Sequence, residues 1–400
     1  MLTPLNQYRV LDLTNVLAGP FCGHQLAHLG AEVIKVEVPN SGDLARQLGA
    51  SPTLNKAGMG ISFLAQNVGK QSVTLNLKTD EGKSLFKRLV KTADVVIENF
   101  RPGVMDRLGL GYEELKAVNP NIIYCAISGY GADGPMRHLP AYDQIIQGMS
   151  GVMSITGAPE NAPYRVGYPI ADTIGGMTAA FAICAALAGR EASGEGSFID
   201  VSMLESTLTT MGWAVSNYLV ADKAPQPLGN NNVTASPSGT FKTGGGLLNI
   251  AANKQEQFEA LCQLIGRDDL ITDPRFAERQ ARLENRELLT GHIEAAFAVK
   301  PATEWETALN RIGVPAGRVL SVPQALALPQ VHERDFTGCF VDSPGVNQDV
   351  RYVRTGFKLD GERPAVTLPP PLLGEHTEQW LTALGLSKEE IERLQEQGAI

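Results

Sequence analysis

"YRVLDLTNVLAGPFCGHQLAHLGAEVIKVEVP" occupies residues 8–39, and its reading decides the fold. "YRVLDLT" (8–14) is a short apolar run with β-branched residues. "NVLAGP" reads as a turn. "FCGHQLAHLG" (21–30) has helical spacing and stops at Gly30. "AEVIKVEVP" (31–39) is a strand that Pro39 closes. Strand, helix and strand within about 30 residues make a βαβ unit, which implies a parallel sheet.

The same alternation continues outward. "QSVTLNL" (71–77) reads as a strand and "TDEGKSLFKRLVKTA" (79–93) as a helix with Thr79 as its N-cap. "DVVIENF" (94–100) and "NIIYCAISGYG" (121–131) read as further strands. The fold class is therefore α/β, with a doubly wound, Rossmann-like region over residues 1–220. A helix opens near Asp172 and runs to about Leu187. "SFIDVSMLESTLTTMGWAVSNYLV" then leads from a strand into a long helix. The Pro-, Asn- and Ser-rich stretch 221–239 marks a linker. A small α/β domain is expected over 240–322, and 323–400 forms a second linker and a C-terminal part.

Composition narrows the function. The chain has 400 residues and a net charge of −9, so nucleic acid is a poor partner. The five cysteines are scattered and form no CxxC pair, and the six histidines make no ligand spacing. No metal site is expected. No run of eighteen apolar residues and no signal peptide are read, so the expected setting is cytoplasmic, with no membrane span.

Several stretches carry candidate chemistry. The first βα turn lacks the G-x-G-x-x-G of a dinucleotide site, so Glu37 reads as a solvated charge at a strand end. "KTGGGLLN" (242–249) reads as a hairpin turn. "SGYGADGP" (128–135) is open between an active-site lip and a surface turn. "ENFRPGVMDRLG" (98–109) places Asn99, Arg101 and Arg107 where phosphate could be met, or where arginines are simply solvated. Asp172 stands at a helix start beside Gly175 and Gly176. It reads either as an N-cap or as a carboxylate that accepts an acyl group, with the glycines clearing space.

These pieces resemble the class III CoA-transferases, of the formyl-CoA transferase and carnitine CoA-transferase type. The resemblance rests on "VLDLTNVLAGPFCGHQLAHLGAEVIKVE", "DVVIENFRPGVMDRLGLGYEELKAVNPNIIYCAISGYG", "YPIADTIGGMTAAFAICAAL", "IDVSMLES" and "PPLLGEHTEQWLTALG". It implies CoA transfer from an acyl-CoA, with succinyl-CoA as donor, to a small carboxylic or dicarboxylic acid. Asp172 matches the nucleophile that carries first a mixed anhydride and then an aspartyl-CoA thioester. Val16, Leu17, Ala18, Leu75, Asn99, Phe100, Arg107 and Tyr142 match CoA contacts. CoA thioesters are substrates here, and no tightly bound cofactor is implied. The resemblance also implies an interlocked homodimer, with the large domain built from both chain ends.

Two departures are informative. Leu17 stands where formyl-CoA transferases carry Gln, which points to an acyl group larger than formyl. The related α-methylacyl-CoA racemases have a His-Asp pair where this chain has Tyr142-Asp143. Loss of the His removes one of two bases and makes racemisation the weaker alternative.

Overall fold

The computed structural model describes residues 3–400. They group into two compact units. The first takes the chain up to Val152, then Arg165–Lys223 and Pro329–Ile400; the second takes Met153–Tyr164 and Ala224–Leu328. Residues 153–164, read from sequence as part of the large region, thus group with the second unit.

The first unit is built on six parallel strands. They are β1 (Arg9–Asp12), β2 (Glu32–Glu37), β3 (Lys70–Thr74), β4 (Val95–Glu98), β5 (Ile123–Ser128) and β6 (Ser197–Ser202), in the order β3-β2-β1-β4-β5-β6. The strands are short and helices cover both faces of the sheet, so that even their charged residues Asp12, Lys35, Glu37 and Lys70 are buried. On one face, Val10, Val33, Val95, Ile97, Ile123 and Ile127 pack with α1 (Ala18–His28) and a long later helix. On the other, Leu11, Ile34, Val36, Val73 and Val96 pack with α2 (Asp80–Val90) and α3 (Tyr112–Val118). Thr79 caps α2 by accepting the Gly82 N–H at 3.1 Å.

Helix α1 begins at Ala18, so half of the expected turn is helical. Pro20 falls in the first helical turn, where a missing N–H leaves no intrahelical bond unmade. Helix α4 (Asp143–Met149) precedes the long helix α5 (Ile170–Ser193). That helix outruns its expected end by about a turn and a half, and stops where Gly194 turns left-handed at φ 70°. The expected long helix after β6 is two: α6 (Met203–Thr210) and α7 (Trp213–Ala221), broken at Gly212, φ 47°.

Helices α5 and α7 both carry exposed large apolar side chains. Phe181 on α5 is 75% exposed, and α7 buries none of its residues. Helix α5 is also long and apolar enough to cross a membrane, with a mean hydropathy of 1.6. One face of α5, including Gly175, Gly176, Ala179 and Ile183, is nonetheless buried.

The second unit carries an antiparallel sheet of β7 (Ser238–Lys242), β8 (Leu247–Ala251) and β9 (Ala316–Arg318). Helices α8 (Gln255–Leu264), α9 (Arg286–Phe297) and α10 (Ala302–Arg311) bury Phe258, Phe297 and Trp305 with Phe241 from β7. The glycines 244–246 form the β7–β8 hairpin turn, with the Thr243 N–H bonded to the Gly246 carbonyl at 3.2 Å. The chain then returns to the first unit as the hairpin β10 (Thr337–Ser343) and β11 (Gln348–Val353), followed by α11 (Thr377–Ala383) and α12 (Lys388–Glu396). Trp380, Leu381, Ile391 and Leu394 of these last helices complete the second face of the large sheet.

Candidate active site

The strand order reverses direction between β1 and β4. Ligands of doubly wound sheets bind in the crevice at the carboxyl ends of the two strands flanking such a switch. Here the chain segments leaving β1 and β4 meet. Asn99 holds the first of them: its Oδ1 accepts the Asn15 N–H at 2.9 Å and its Nδ2 donates to the Asn15 carbonyl at 2.8 Å. The next residue, Val16, stands at φ 69°. That is an uncommon conformation for a β-branched residue.

A cavity of about 180 Å³ opens at this point. Asn15, Val16, Leu17, Ala18, Asn99, Phe100, Ser128, Gly129, Tyr142 and Asp172 are among its lining residues. The structure thus brings together seven of the nine residues that the resemblance assigns as nucleophile and CoA contacts. Ser128 and Gly129 place the start of "SGYGADGP" on the lip of the same cavity.

Asp172 sits in the first turn of α5 and is not its N-cap, a position that Pro169 takes. Its carboxyl is half-buried, and burial, followed by the nearby charge of Asp143, pushes it up to about 7. Asp143, at the start of α4, is the residue that sequence reasoning undervalued. Its Oδ1 accepts the Ala171 N–H at 2.9 Å and the Asp172 N–H at 3.4 Å, and its Oδ2 accepts from Gln147 Nε2 at 2.7 Å. Asp143 therefore caps the start of α5 from another helix. The i, i+4 spacing of Asp143 and Gln147 was the available signal.

The two adjacent glycines do not clear space around the carboxylate. A Cβ on Gly176 would stand 2.3 Å from the Ala18 carbonyl oxygen, and one on Gly175 would stand 2.9 Å from Met203 Cγ. Both glycines are buried at helix contacts. Their lack of a side chain lets α5 close on α1 and α6, which brings Asp172 to the β1–α1 turn.

Two other residues lie elsewhere. Leu75 is 1% exposed and its side chain belongs to the core under α2. Its N–H is already bonded to the Glu37 carbonyl at 2.9 Å, so any contact it makes with a ligand runs through the rest of its backbone. Arg107 is exposed, at the end of the helical turn Val104–Arg107, and does not line the cavity. Glu37 is not the solvated charge expected. It is buried, and its two carboxylate oxygens each accept from Arg46 at 2.7 Å.

The sequence matches CoA-transferase family III over residues 5–377. The chain belongs to that family. Acetyl-CoA:oxalate CoA-transferase of Acetobacter aceti is 40% identical over 90% of this chain and 92% of its own length. Succinate–glutarate CoA-transferase of Agrobacterium fabrum is 38% identical over 98% of this chain and 97% of its own. The crystal structure of a CAIB/BAIF family protein from Brucella suis is 36% identical, with a TM-score of 0.84, covering 96% of this chain and 100% of that one. The family III chain described here is an enzyme with CoA-transferase activity, and CoA thioesters are its substrates. Among the described residues, no group of three or more His, Cys, Asp or Glu side chains is placed to hold a metal ion.

Proposed function

We propose that this family III enzyme moves CoA from succinyl-CoA to a small dicarboxylic acid, with Asp172 as the acyl relay. The observation that carries the reading is the position of Asp172: a half-buried carboxyl, pushed up to about 7, on the wall of the cavity at the strand-order switch. Poor solvation makes its carboxylate a better nucleophile than one in water. Four of the relatives are named for succinyl-CoA or succinate paired with glutarate or D-citramalate.

In this mechanism a carboxylate oxygen of Asp172 attacks the thioester carbonyl. The C–S bond breaks and CoA leaves as thiolate, giving a mixed anhydride. The thiolate then attacks the Asp172 carbonyl carbon and releases the donor acid as its carboxylate. The acceptor carboxylate attacks the resulting thioester, and the two steps run in reverse. No net proton is consumed. Val16, Leu17, Ala18, Asn99, Phe100 and Tyr142 would border the pantetheine end and the acyl group, and Arg107 would meet a CoA phosphate from outside the cavity.

Racemisation at the α-carbon is a weaker reading. It would need Asp143 as a base, yet both Asp143 oxygens are already engaged by Ala171 and Gln147. The proposal includes a homodimer with interlocked subunits. Its support is the exposed apolar surface of α5 and α7, including Trp213 and Val220 at 58% and 87% exposure. Patches of that kind mark association faces.

The test is incubation with succinyl-CoA and a panel of acids, with the protein analysed by mass spectrometry. Wild type should accumulate CoA covalently on the peptide carrying Asp172 and form the new thioester. Asp172→Ala should do neither while still binding CoA. Turnover of that variant within tenfold of wild type refutes the role, and α-proton exchange without an acceptor acid would favour racemisation.

A further inference from the structure

The left-handed conformation of Val16 needs an explanation that the cavity itself does not supply. A β-branched residue persists there only when its surroundings over-determine the backbone. Asn99 fixes the residue before it. The residue itself is held from below by a buried ion pair that lines no part of the cavity.

Asp43 Oδ1 accepts the Val16 N–H at 2.9 Å. Lys35 Nζ lies 2.9 Å from Asp43 Oδ2 and donates to the Thr14 carbonyl at 2.7 Å. A closed ring results, running from the Thr14 carbonyl through Lys35 and Asp43 to the Val16 N–H. Both side chains of the pair are fully buried. Asp43 is anchored in turn, since its N–H bonds Glu37 Oε2 at 2.9 Å and its Oδ1 also accepts the Ala45 N–H at 2.9 Å. Buried ion pairs are weak sources of stability compared with apolar packing. Their geometry, by contrast, is well defined, and this one grips the backbone on both sides of Asn15.

We propose that Asp43 is a positioning residue for CoA transfer. With Lys35 it locks Val16 in the left-handed region and so sets the wall formed by Val16, Leu17 and Ala18 opposite Asp172. The inference rests on the reading of Asp172 as the acyl relay. Asp43 touches no substrate in this scheme. It acts through the turn, where a displacement of about 1 Å can cost on the order of 100-fold in rate. The wall borders the reacting carboxylate and not the distant end of CoA, so the loss falls on kcat.

Steady-state kinetics on the full chain test this, with kcat expressed per folded molecule. Asp43→Asn should lower kcat at least tenfold while KM for succinyl-CoA stays within threefold. Adding Val16→Gly to that variant should restore kcat at least threefold, because glycine enters the left-handed region without a steric penalty. A purely structural Asp43 would lower the melting temperature, leave kcat per folded molecule unchanged, and show no such rescue. Should Asp43→Asn not fold, Lys35→Gln serves instead: it keeps a donor for Thr14, loses the charge that fixes Asp43, and should show the same division between kcat and KM. An active wild type with kcat within threefold in whichever variant folds, or a kcat loss without rescue by Val16→Gly, overturns the positioning role. An inactive wild type, or an active Asp172→Ala, overturns the relay reading first and is distinguishable from either result.

Discussion

Gly176 of α5 meets the carbonyl of Ala18 on α1 so closely that any side chain there would collide with backbone. The nearest atom would be 2.3 Å away. A glycine inside a helix costs about 1 kcal/mol relative to alanine, so its presence mid-helix reflects the contact. The contact couples two elements that each deliver a wall of the cavity: the β1–α1 turn and the first turn of α5, with Asp172.

Gly176→Ala should therefore push the two helices apart. Overpacking of this kind costs about 1–3 kcal/mol, and kcat should fall at least tenfold as Asp172 leaves the turn. Gly175→Ala is the matched comparison. Its nearest neighbour is Cγ of the Met203 side chain, which can swing aside, so its losses should be clearly smaller. Thermal unfolding and kinetics on both variants check this. Equal effects would mean that helix propensity, and not the Ala18 contact, decides.

The acid limb of the pH profile gives a second expectation. Asp172 must be ionised to attack, and burial with Asp143 nearby has pushed it up to about 7. kcat/KM should rise with pH through about 7 and level off above it. Asp143→Asn removes the neighbouring negative charge and so should move the midpoint to lower pH, while its amide oxygen can still accept the Ala171 N–H. A midpoint that stays put in the variant would show that burial alone sets it.

A third concerns stability. His24 and His28 are buried one turn apart on α1, with their Nε2 atoms 3.2 Å from each other. Burial, with Arg354 second, holds His28 down to about 4 from an ordinary value of 6.5. The unfolded chain therefore binds this proton between pH 6.5 and 4 while the folded chain does not, and stability falls as pH falls through that window. From pH 7 to pH 5 the loss assignable to His28 is about 2 kcal/mol. Denaturant unfolding at the two pH values should show wild type losing more stability than His28→Gln by about that amount. Equal losses would mean that His28 does not contribute.

The parallel sheet was legible because its signals are local. Apolar runs of four to seven residues, closed by Gly or Pro and alternating with helical spacing, need no knowledge of distant contacts. Thr79 could be read as a cap for the same reason. What sequence alone could not show is which charged residues fold inward. Glu37 ends a strand, and its burial depends on Arg46 returning over it from the following loop. The role of Gly175 and Gly176 is hidden in the same way, because the atoms that need the space, in Ala18 and Met203, lie far off in the chain. The Asp43–Lys35 pair under Val16 left no sequence signal of its own, since each residue alone reads as a surface charge.

Leu17 carries the last expectation, on which acid the enzyme takes. It is half-buried on the cavity wall, next to Val16 and facing the same space as Asp172. Its side chain offers no hydrogen bond. A two-carbon acid such as oxalate would press oxygens against it, and each unpaired polar group costs about 1–3 kcal/mol. A longer dicarboxylate can lay methylenes there and carry its far carboxylate past Leu17 to a donor elsewhere. Acids of four to six carbons should therefore exceed oxalate in kcat/KM by at least tenfold with succinyl-CoA as donor. Leu17→Gln places a donor and an acceptor on the wall, and should narrow that ratio mainly by improving the small acid. Competition assays with oxalate, succinate and glutarate on both proteins measure it. If wild type prefers oxalate, the apolar wall does not set the choice of acid; if the ratio is unchanged in Leu17→Gln, the discriminating contact lies elsewhere in the cavity.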